Sequence, residues 1–228
     1  MSANDQKRIA GEAAALRVEA GMVVGLGTGS TAAWFVKALA ARELKHLRCV
    51  PTSEKTADLA RELGLTLSTL DDTPRIDLTV DGADEIGPGL ALIKGGGAAL
   101  LREKLVWEAS RSCIVIADAA KVVPVLGAFH LPIEVVAFGH KTTANRIADV
   151  LLDHEIGMPA RLRQADRALV RTDGGNLIYD AACKAIHDPV RLADDLKLIT
   201  GVVEHGLFLD LADEAIIGDD DGVRVLLP

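Results

Sequence analysis

Glu103 lies in a helical pattern, ALLREKLVWEAS, whose positions three and four residues to either side are Ala99, Leu100, Val106 and Trp107. That face is apolar, and an ionised carboxylate on it is costly to desolvate unless something pairs with it. Burial of this kind tunes proton affinity, which makes Glu103 a candidate general base. A buried ion-pair partner for Lys94 or Arg102 is the competing role. Upstream, Lys94 ends an apolar run and is followed by Gly95, Gly96 and Gly97. Adjacent glycines cost chain entropy and are explained if the backbone approaches a ligand, with Lys94 meeting an anion or polarising a carbonyl. Just before them, VDGADEI brings Asp81, Asp84 and Glu85 close together. Carboxylates so close repel unless one is protonated or paired with a cation, the arrangement that separates pKa values for acid and base work. A solvated Asp-Gly turn with a helix cap is the plainer alternative.

A fourth segment, GLGTGST from Gly25 to Thr31, offers glycines for close backbone approach and the hydroxyls of Thr28, Ser30 and Thr31. A helix starting there aims free amides at an anion. No Gly-Lys-Ser/Thr follows, and Ser30 stands where a dinucleotide fingerprint has its third glycine, so a monophosphate fits better than a dinucleotide. A capped strand-to-helix turn without a ligand remains open on this segment alone. Lys121, in IADAAKVV with Asp118, and Lys7 near the start of the chain are positioned to complete an anion site. The histidines at 46, 130, 140, 154, 187 and 205 are scattered outside these loops, which supports neither a metal cage nor a Ser-His-Asp relay.

These loops need elements to hold them. Ile9, Ala13, Leu16 and Ala20 form one helical stripe ended by Gly21. Apolar runs at 22–26, 48–52, 65–70, 76–80, 90–93 and 113–117 alternate with helical patterns at 31–47, 54–63 and over ALLREKLVWEAS. Strands alternating with helices imply right-handed crossovers and a mostly parallel, Rossmann-like sheet, with ligands outside the carboxyl ends of its strands. Beyond Asp118 the order becomes strand (PIEVVAF), helix, two strands around a glycine turn (ALVRTDGGNLIYDA), helix and strand (GVVEHGLFL). That is the split ferredoxin-like unit. The expectation is an α/β catalytic domain over 1–127 and 199–228, to which the hairpin-like tail AIIGDDDGVRVLL returns, with a smaller α+β domain inserted over 128–198.

Composition narrows the classes. With 228 residues, 49% hydrophobic and 25% charged, the chain has ordinary globular composition and length enough for a sizeable core. A net charge of -8 repels a phosphodiester backbone, so no nucleic-acid partner is expected. Cys49, Cys113 and Cys183 are odd in number and widely spaced, which indicates neither a disulfide framework nor a zinc site. No run reaches the ~18 apolar residues of a membrane span, and no secretory h-region follows the first charges, so a cytoplasmic protein without a membrane partner is expected.

Taken in order and spacing, GLGTGST, VDGADEI, IKGGGAALLREK, IADAAK, LPIEVV and GVVEHGLF resemble the type A ribose-5-phosphate isomerases, over essentially the whole chain from Lys7 onward. The resemblance implies interconversion of D-ribose 5-phosphate and D-ribulose 5-phosphate by a homodimer, with neither cofactor nor metal. It maps the general base to Glu103, assistance of ring opening and sugar hydroxyl binding to Asp81 and Asp84, and the lysine before the glycines to Lys94. Substrate contacts map to Lys7, Thr28, Gly29, Ser30, Thr31, Gly82, Ala83, Gly95, Gly96, Gly97 and Lys121. Leu101 departs from the threonine found in many members, and the small domain matches more loosely. Outside this family, an acyl-CoA transferase with a glutamate nucleophile, a metal-dependent hydride-shift isomerase and a non-catalytic sugar-phosphate sensor are the competing classes.

Overall fold

The computed structural model describes residues 1–228. In chain order the helices are α1 (Ala3–Ala15), α2 (Ser30–Ala41), α3 (Glu54–Glu62), α4 (Leu100–Glu108), α5 (His140–Asp153) and α6 (Pro189–Lys197). The strands are β1 (Val23–Leu26), β2 (Arg48–Pro51), β3 (Leu78–Gly82), β4 (Glu85–Ile86), β5 (Leu92–Ile93), β6 (Cys113–Asp118), β7 (Leu131–Val135) and β8 (Arg161–Leu162). They continue with β9 (Gln164–Ala165), β10 (Ala168–Leu169), β11 (Leu177–Ala181), β12 (Val202–His205), β13 (Leu207–Phe208), β14 (Glu214–Asp219) and β15 (Gly222–Leu226). The chain divides into two compact units: Met1–Ala83, Arg102–Val122 and Asp210–Pro228 form the first, Asp84–Leu101 and Val123–Leu209 the second.

The first unit is built on a six-stranded sheet of order β15-β14-β6-β3-β1-β2. All neighbours are parallel except the closing hairpin β14-β15. Strands buried on both faces read as continuous apolar runs, as Val23–Leu26 and Cys113–Ala117 do. On one face Val24, Leu26, Val80, Ile114, Ile116 and Ile216 pack under Ala10, Phe35, Val36 and Leu39 of α1 and α2. On the other, Val23, Val50 and Ile76 meet Val106 of α4. The chain leaves β1 toward β2 on one side and reaches β3 on the other, so the β1 and β3 loops lie at a topological switch point.

The second unit has a four-stranded antiparallel sheet of order β12-β7-β11-β8, the expected split arrangement, with Ile133, Val135, Leu177 and Tyr179 packed against Ile147, Leu151, Leu192 and Leu196 of α5 and α6. A three-stranded sheet, β13-β5-β4, joins it, so this unit reaches beyond 128–198 to take in residues 84–101, 123–127 and 199–209. Leu90–Ile93, expected in the parallel sheet, instead begins as a 3-10 turn at Pro88 with Leu90 at φ 55° and pairs only from Leu92. GVVEHGLFL is two strands, not one. The break is Gly206, where a Cβ would overlap the Lys94 carbonyl, and its backbone bonds both Pro132 and Lys94.

Other differences are local. The apolar run at 65–70 makes a single bridge, Leu67 to Cys49, because the Thr69–Asp72 turn diverts it. Helix α2 stops at Ala41, short of Leu47, where Glu43 and His46 take positive φ. Around the glycine turn at 174–175, Ala168–Leu169 pairs back on Gln164–Ala165, and the edge strand of the main antiparallel sheet is the unforeseen β8. No helix is long and apolar enough to cross a membrane.

All three cysteines are free and buried, and burial pushes the Cys49 and Cys183 thiols up to about 12. Near pH 8 the thiolate fraction of either is then roughly one in ten thousand, and the thiolate is the reactive form. Ellman's reagent at pH 8 is expected to leave the native protein unlabelled over minutes and to titrate three thiols in denaturant; rapid native labelling would contradict this packing.

Candidate active site

At the end of β3, Asp81 is fully buried (0% exposed). Its Oδ1 accepts the backbone N–H of Thr28 at 3.0 Å and of Gly82 at 2.7 Å, and its Oδ2 accepts the Trp107 indole N–H at 3.4 Å. A carboxylate taken out of water needs such donors, and these come from the β1 turn, from β3 itself and from α4. The turn is matched to it: a Cβ on Gly27 would overlap the Asp81 carboxylate, and the Gly27 N–H bonds the Val80 carbonyl at 3.0 Å. The Thr28 hydroxyl points into a knot with Thr52, Ser53 and Thr56 at 2.8, 2.7 and 3.2 Å, and Thr56 returns a bond to the Gly27 carbonyl. Thr28 therefore shapes the turn, while exposed Gly29 and Ser30 and half-buried Thr31 remain at the start of α2.

Gly29 caps α2 without a side-chain hydrogen bond, so the first-turn amides keep their donor capacity, with the positive end of the helix dipole behind them. Lys7 of α1 reaches this point, its Nζ 3.2 Å from Ser30 Oγ and 4.0 Å from Asp118 Oδ2. Asp118 is in turn fixed by the Ala120 N–H at the 3-10 turn that carries Lys121. This assembly of ammonium, hydroxyl and amides is suited to an anion. In the same unit, Glu103 is 3% exposed on α4, among buried Ala99, Leu100, Val106 and Trp107 as its spacing implied. Arg102, beside it, pairs with Glu54 at 2.8 Å, and the guanidinium holds the Glu54 carboxyl below the usual range.

The second unit carries the other candidates. Asp84 is half-buried; its N–H bonds the Ile93 carbonyl at 2.8 Å, and its Oδ2 accepts the Gly96 N–H at 2.8 Å. Lys94 is 2% exposed with its Nζ 5.3 Å from the centroid of the Phe208 ring, a cation–π distance. Glu85 is not a third acid of the site: its two oxygens accept the N–H groups of Gly127 and Phe129 at 2.7 and 2.6 Å, which ties down the 127–129 loop. Arg163 was not foreseen. It donates to the carbonyls of Gly95 and Gly96 and is aimed by Asp180, and nothing in RLRQADRAL distinguishes it from a surface arginine. Phe208 and Gly206 support Lys94, and within GVVEHGLF no local signal marks either for that part.

The boundary of the two units falls inside both signature motifs, after Ala83 and after Leu101. Lys7, Gly29, Ser30, Thr31, Asp81, Gly82, Ala83, Glu103 and Lys121 thus belong to the first, and Asp84, Lys94, Gly95, Gly96 and Gly97 to the second. No group of three or more His, Cys, Asp or Glu side chains is arranged to hold a metal ion.

An α/β sheet with an anion-suited helix start at its switch point and a buried carboxyl on α4 defines a class: enzymes of small phosphorylated metabolites. The family model described as ribose 5-phosphate isomerase A (phosphoriboisomerase A) matches residues 48–222. A ribose-5-phosphate isomerase A of Caulobacter vibrioides is 70% identical over the full length of both chains, and one of Parvibaculum lavamentivorans is 50% identical over 99% of each. Among solved structures, a D-ribose-5-phosphate isomerase in complex with phospho-erythronic acid superposes with TM-score 0.93 at 39% identity over the whole of both chains. The Plasmodium falciparum ribose 5-phosphate isomerase gives 0.92 at 36% identity over 99% of each. The chain belongs to the ribose 5-phosphate isomerase A family of aldose–ketose isomerases.

Gly27→Ala tests the Asp81 cradle. The added methyl displaces the carboxylate from its amide donors, an overpacking cost of about 1–3 kcal/mol. A lowered urea midpoint is expected together with at least a tenfold loss of isomerase activity; wild-type values for both would show that the close approach has no role.

Proposed function

We propose that the chain interconverts D-ribose 5-phosphate and D-ribulose 5-phosphate in the non-oxidative pentose phosphate pathway, through an enediolate formed and quenched by Glu103. The Glu103 carboxylate takes the proton from C2 of the open-chain aldose, giving the enediolate. The same carbon proton, or one exchanged with solvent, returns to C1 while the proton of the C2 hydroxyl passes to O1, so that C2 becomes the carbonyl of the ketose and the carboxylate is left as it began. The observation that carries this reading is the burial of the Glu103 carboxyl on an otherwise apolar helix face, since a base for a carbon acid works best where water does not compete.

The phosphate is assigned to Lys7, Gly29, Ser30, Thr31 and Lys121, away from the reacting carbons, so its binding energy orients the sugar. Asp84 is the acid for ring opening, because it is half-buried with one oxygen not hydrogen-bonded within the chain. Asp81, enclosed and committed to backbone amides, holds the turn. Lys94 and the amides of Ala83 and Gly97 stabilise the charge that develops on O1 and O2, the Gly82 and Gly96 N–H groups being used by Asp81 and Asp84. The solved relative described with phospho-erythronic acid supports this division, since that ligand joins an oxygen-rich acid end to a phosphate. Nothing in the reaction requires a cofactor or metal. A homodimer in the cytoplasm completes the reading; it draws on the family resemblance and on Phe138 and Leu198, apolar side chains almost fully exposed on the second unit.

Purified protein given ribose 5-phosphate in deuterated water, with EDTA present, is expected to form ribulose 5-phosphate and to exchange hydrogen at the migrating position. Glu103→Gln is expected to lower kcat by about a hundredfold to ten-thousandfold while leaving phosphate-ligand affinity within about threefold. A variant retaining a tenth of wild-type turnover would remove Glu103 as the base, and turnover with no exchange and loss in EDTA would indicate a metal-assisted hydride shift.

A further inference from the structure

The three-glycine run has an unexpected neighbour. Arg163 extends from the segment between β8 and β9, its side chain 13% exposed. Its Nε donates to Asp180 Oδ2 at 2.8 Å and its Nη2 to Asp180 Oδ1, a two-pronged pairing with a carboxylate on β11, a paired inner strand of the sheet. That leaves Nη1, which donates to the carbonyl of Gly95 at 2.8 Å and of Gly96 at 3.2 Å. Gly95 has φ 103°, and its carbonyl also accepts the Ala98 N–H at 3.0 Å, closing a turn over Gly96 and Gly97.

In a trans peptide the carbonyl of one residue and the N–H of the next point in opposite directions. With the Gly95 carbonyl drawn to Arg163, the Gly96 N–H faces away from it, and that N–H is on Asp84 Oδ2 at 2.8 Å. With the Gly96 carbonyl drawn the same way, the Gly97 N–H must also face away, on an exposed residue where it meets no acceptor within the chain. A guanidinium on the carbonyl side polarises both peptides and makes their N–H groups better donors.

We propose that Arg163 is a positioning residue of the isomerase: tethered by Asp180, it orients and polarises the Gly95–Gly97 peptides, so that the Gly96 N–H fixes Asp84 and the Gly97 N–H receives a sugar oxygen that becomes charged in the enediolate. This rests on the reading of the glycine run as part of the isomerase site. Arg163 acts through the backbone and touches no substrate. Its effect therefore falls on the transition state more than on binding, because the phosphate is assigned to other groups. Lysine cannot replace it, since one ammonium cannot hold a carboxylate in two-pronged fashion and two carbonyls at once.

The experiment compares kcat and KM for ribose 5-phosphate, with melting temperatures, in wild type, Arg163→Lys, Arg163→Ala and Asp180→Asn. It adds a titration of Arg163→Ala with low concentrations of guanidinium chloride. Arg163→Lys is expected to lose about tenfold to a hundredfold in kcat, less than or equal to the loss of one oxyanion donor, with KM changed less than about threefold. Asp180→Asn should lose less, and guanidinium should restore part of the Arg163→Ala rate while leaving wild type unimproved. A kcat within twofold of wild type in Arg163→Lys overturns the proposal. So does a fall in kcat and melting temperature together with a rise in KM and no rescue, which marks a purely structural arginine. If Arg163→Ala does not fold, the kcat and KM split of Arg163→Lys decides. Wild-type protein with no isomerase activity overturns the functional reading itself and this inference with it.

Discussion

A carboxylate sealed from water has to be satisfied by protein donors, and the first unit is arranged around meeting that requirement at Asp81. Burying an ionised group without partners would cost several kcal/mol. The donors that prevent this are backbone N–H groups of Thr28 and Gly82 and the indole of Trp107. Each ties an element down. Thr28 brings the turn that starts α2, where the Lys7 ammonium and the uncapped amides gather; Trp107 brings α4, which carries Glu103. The anion-suited helix start and the buried Glu103 carboxyl are thus held from one internal charge, and Gly27 is required because the turn passes against that charge with no space for a side chain.

The second unit solves a related problem with backbone strands. Lys94 is buried beside Phe208, and its main chain is fixed by Gly206, which lacks the Cβ that would obstruct the Lys94 carbonyl. Glu85 is neighbour to Asp84 in sequence but differs in its partners, because both its oxygens are used by amides of the 127–129 loop. That bond anchors β4, and β4 with β5 sets the spacing of Asp84 from the glycine run. A flexible Gly-Gly-Gly segment is therefore bordered by an aspartate on its N–H side and an arginine on its carbonyl side, so its entropy is removed by neighbours and not by its own residue types.

Much of this was legible in the chain. Apolar runs such as Val23–Leu26 and Cys113–Ala117 sit on strands because their burial on both faces leaves an unbroken pattern, and the apolar neighbours of Glu103 pack as the helical period requires. Glycine-rich loops after strands were readable as close-approach turns for the same local reason, as Gly27 against Asp81 shows. One residue type serves different partners: the Thr28 hydroxyl bonds Thr52, Ser53 and Thr56, and both Glu85 oxygens accept backbone N–H groups. Residue type states what a side chain can bond, while its partner depends on which distant segment arrives beside it.

Local residue pattern was enough for most of the alternation of strands and helices, the motifs at strand ends and the reactive groups they present, because these follow from periodicity and turn chemistry within a few residues. Tertiary structure alone decided that Leu92–Ile93 leaves the parallel sheet to pair with β4 and β13, and that GVVEHGLFL breaks at Gly206. It alone brought Arg163 to glycines 67 and 68 residues away in the chain. Those outcomes depend on hydrogen bonds and close contacts between segments remote in sequence, for which no local pattern carries a signal.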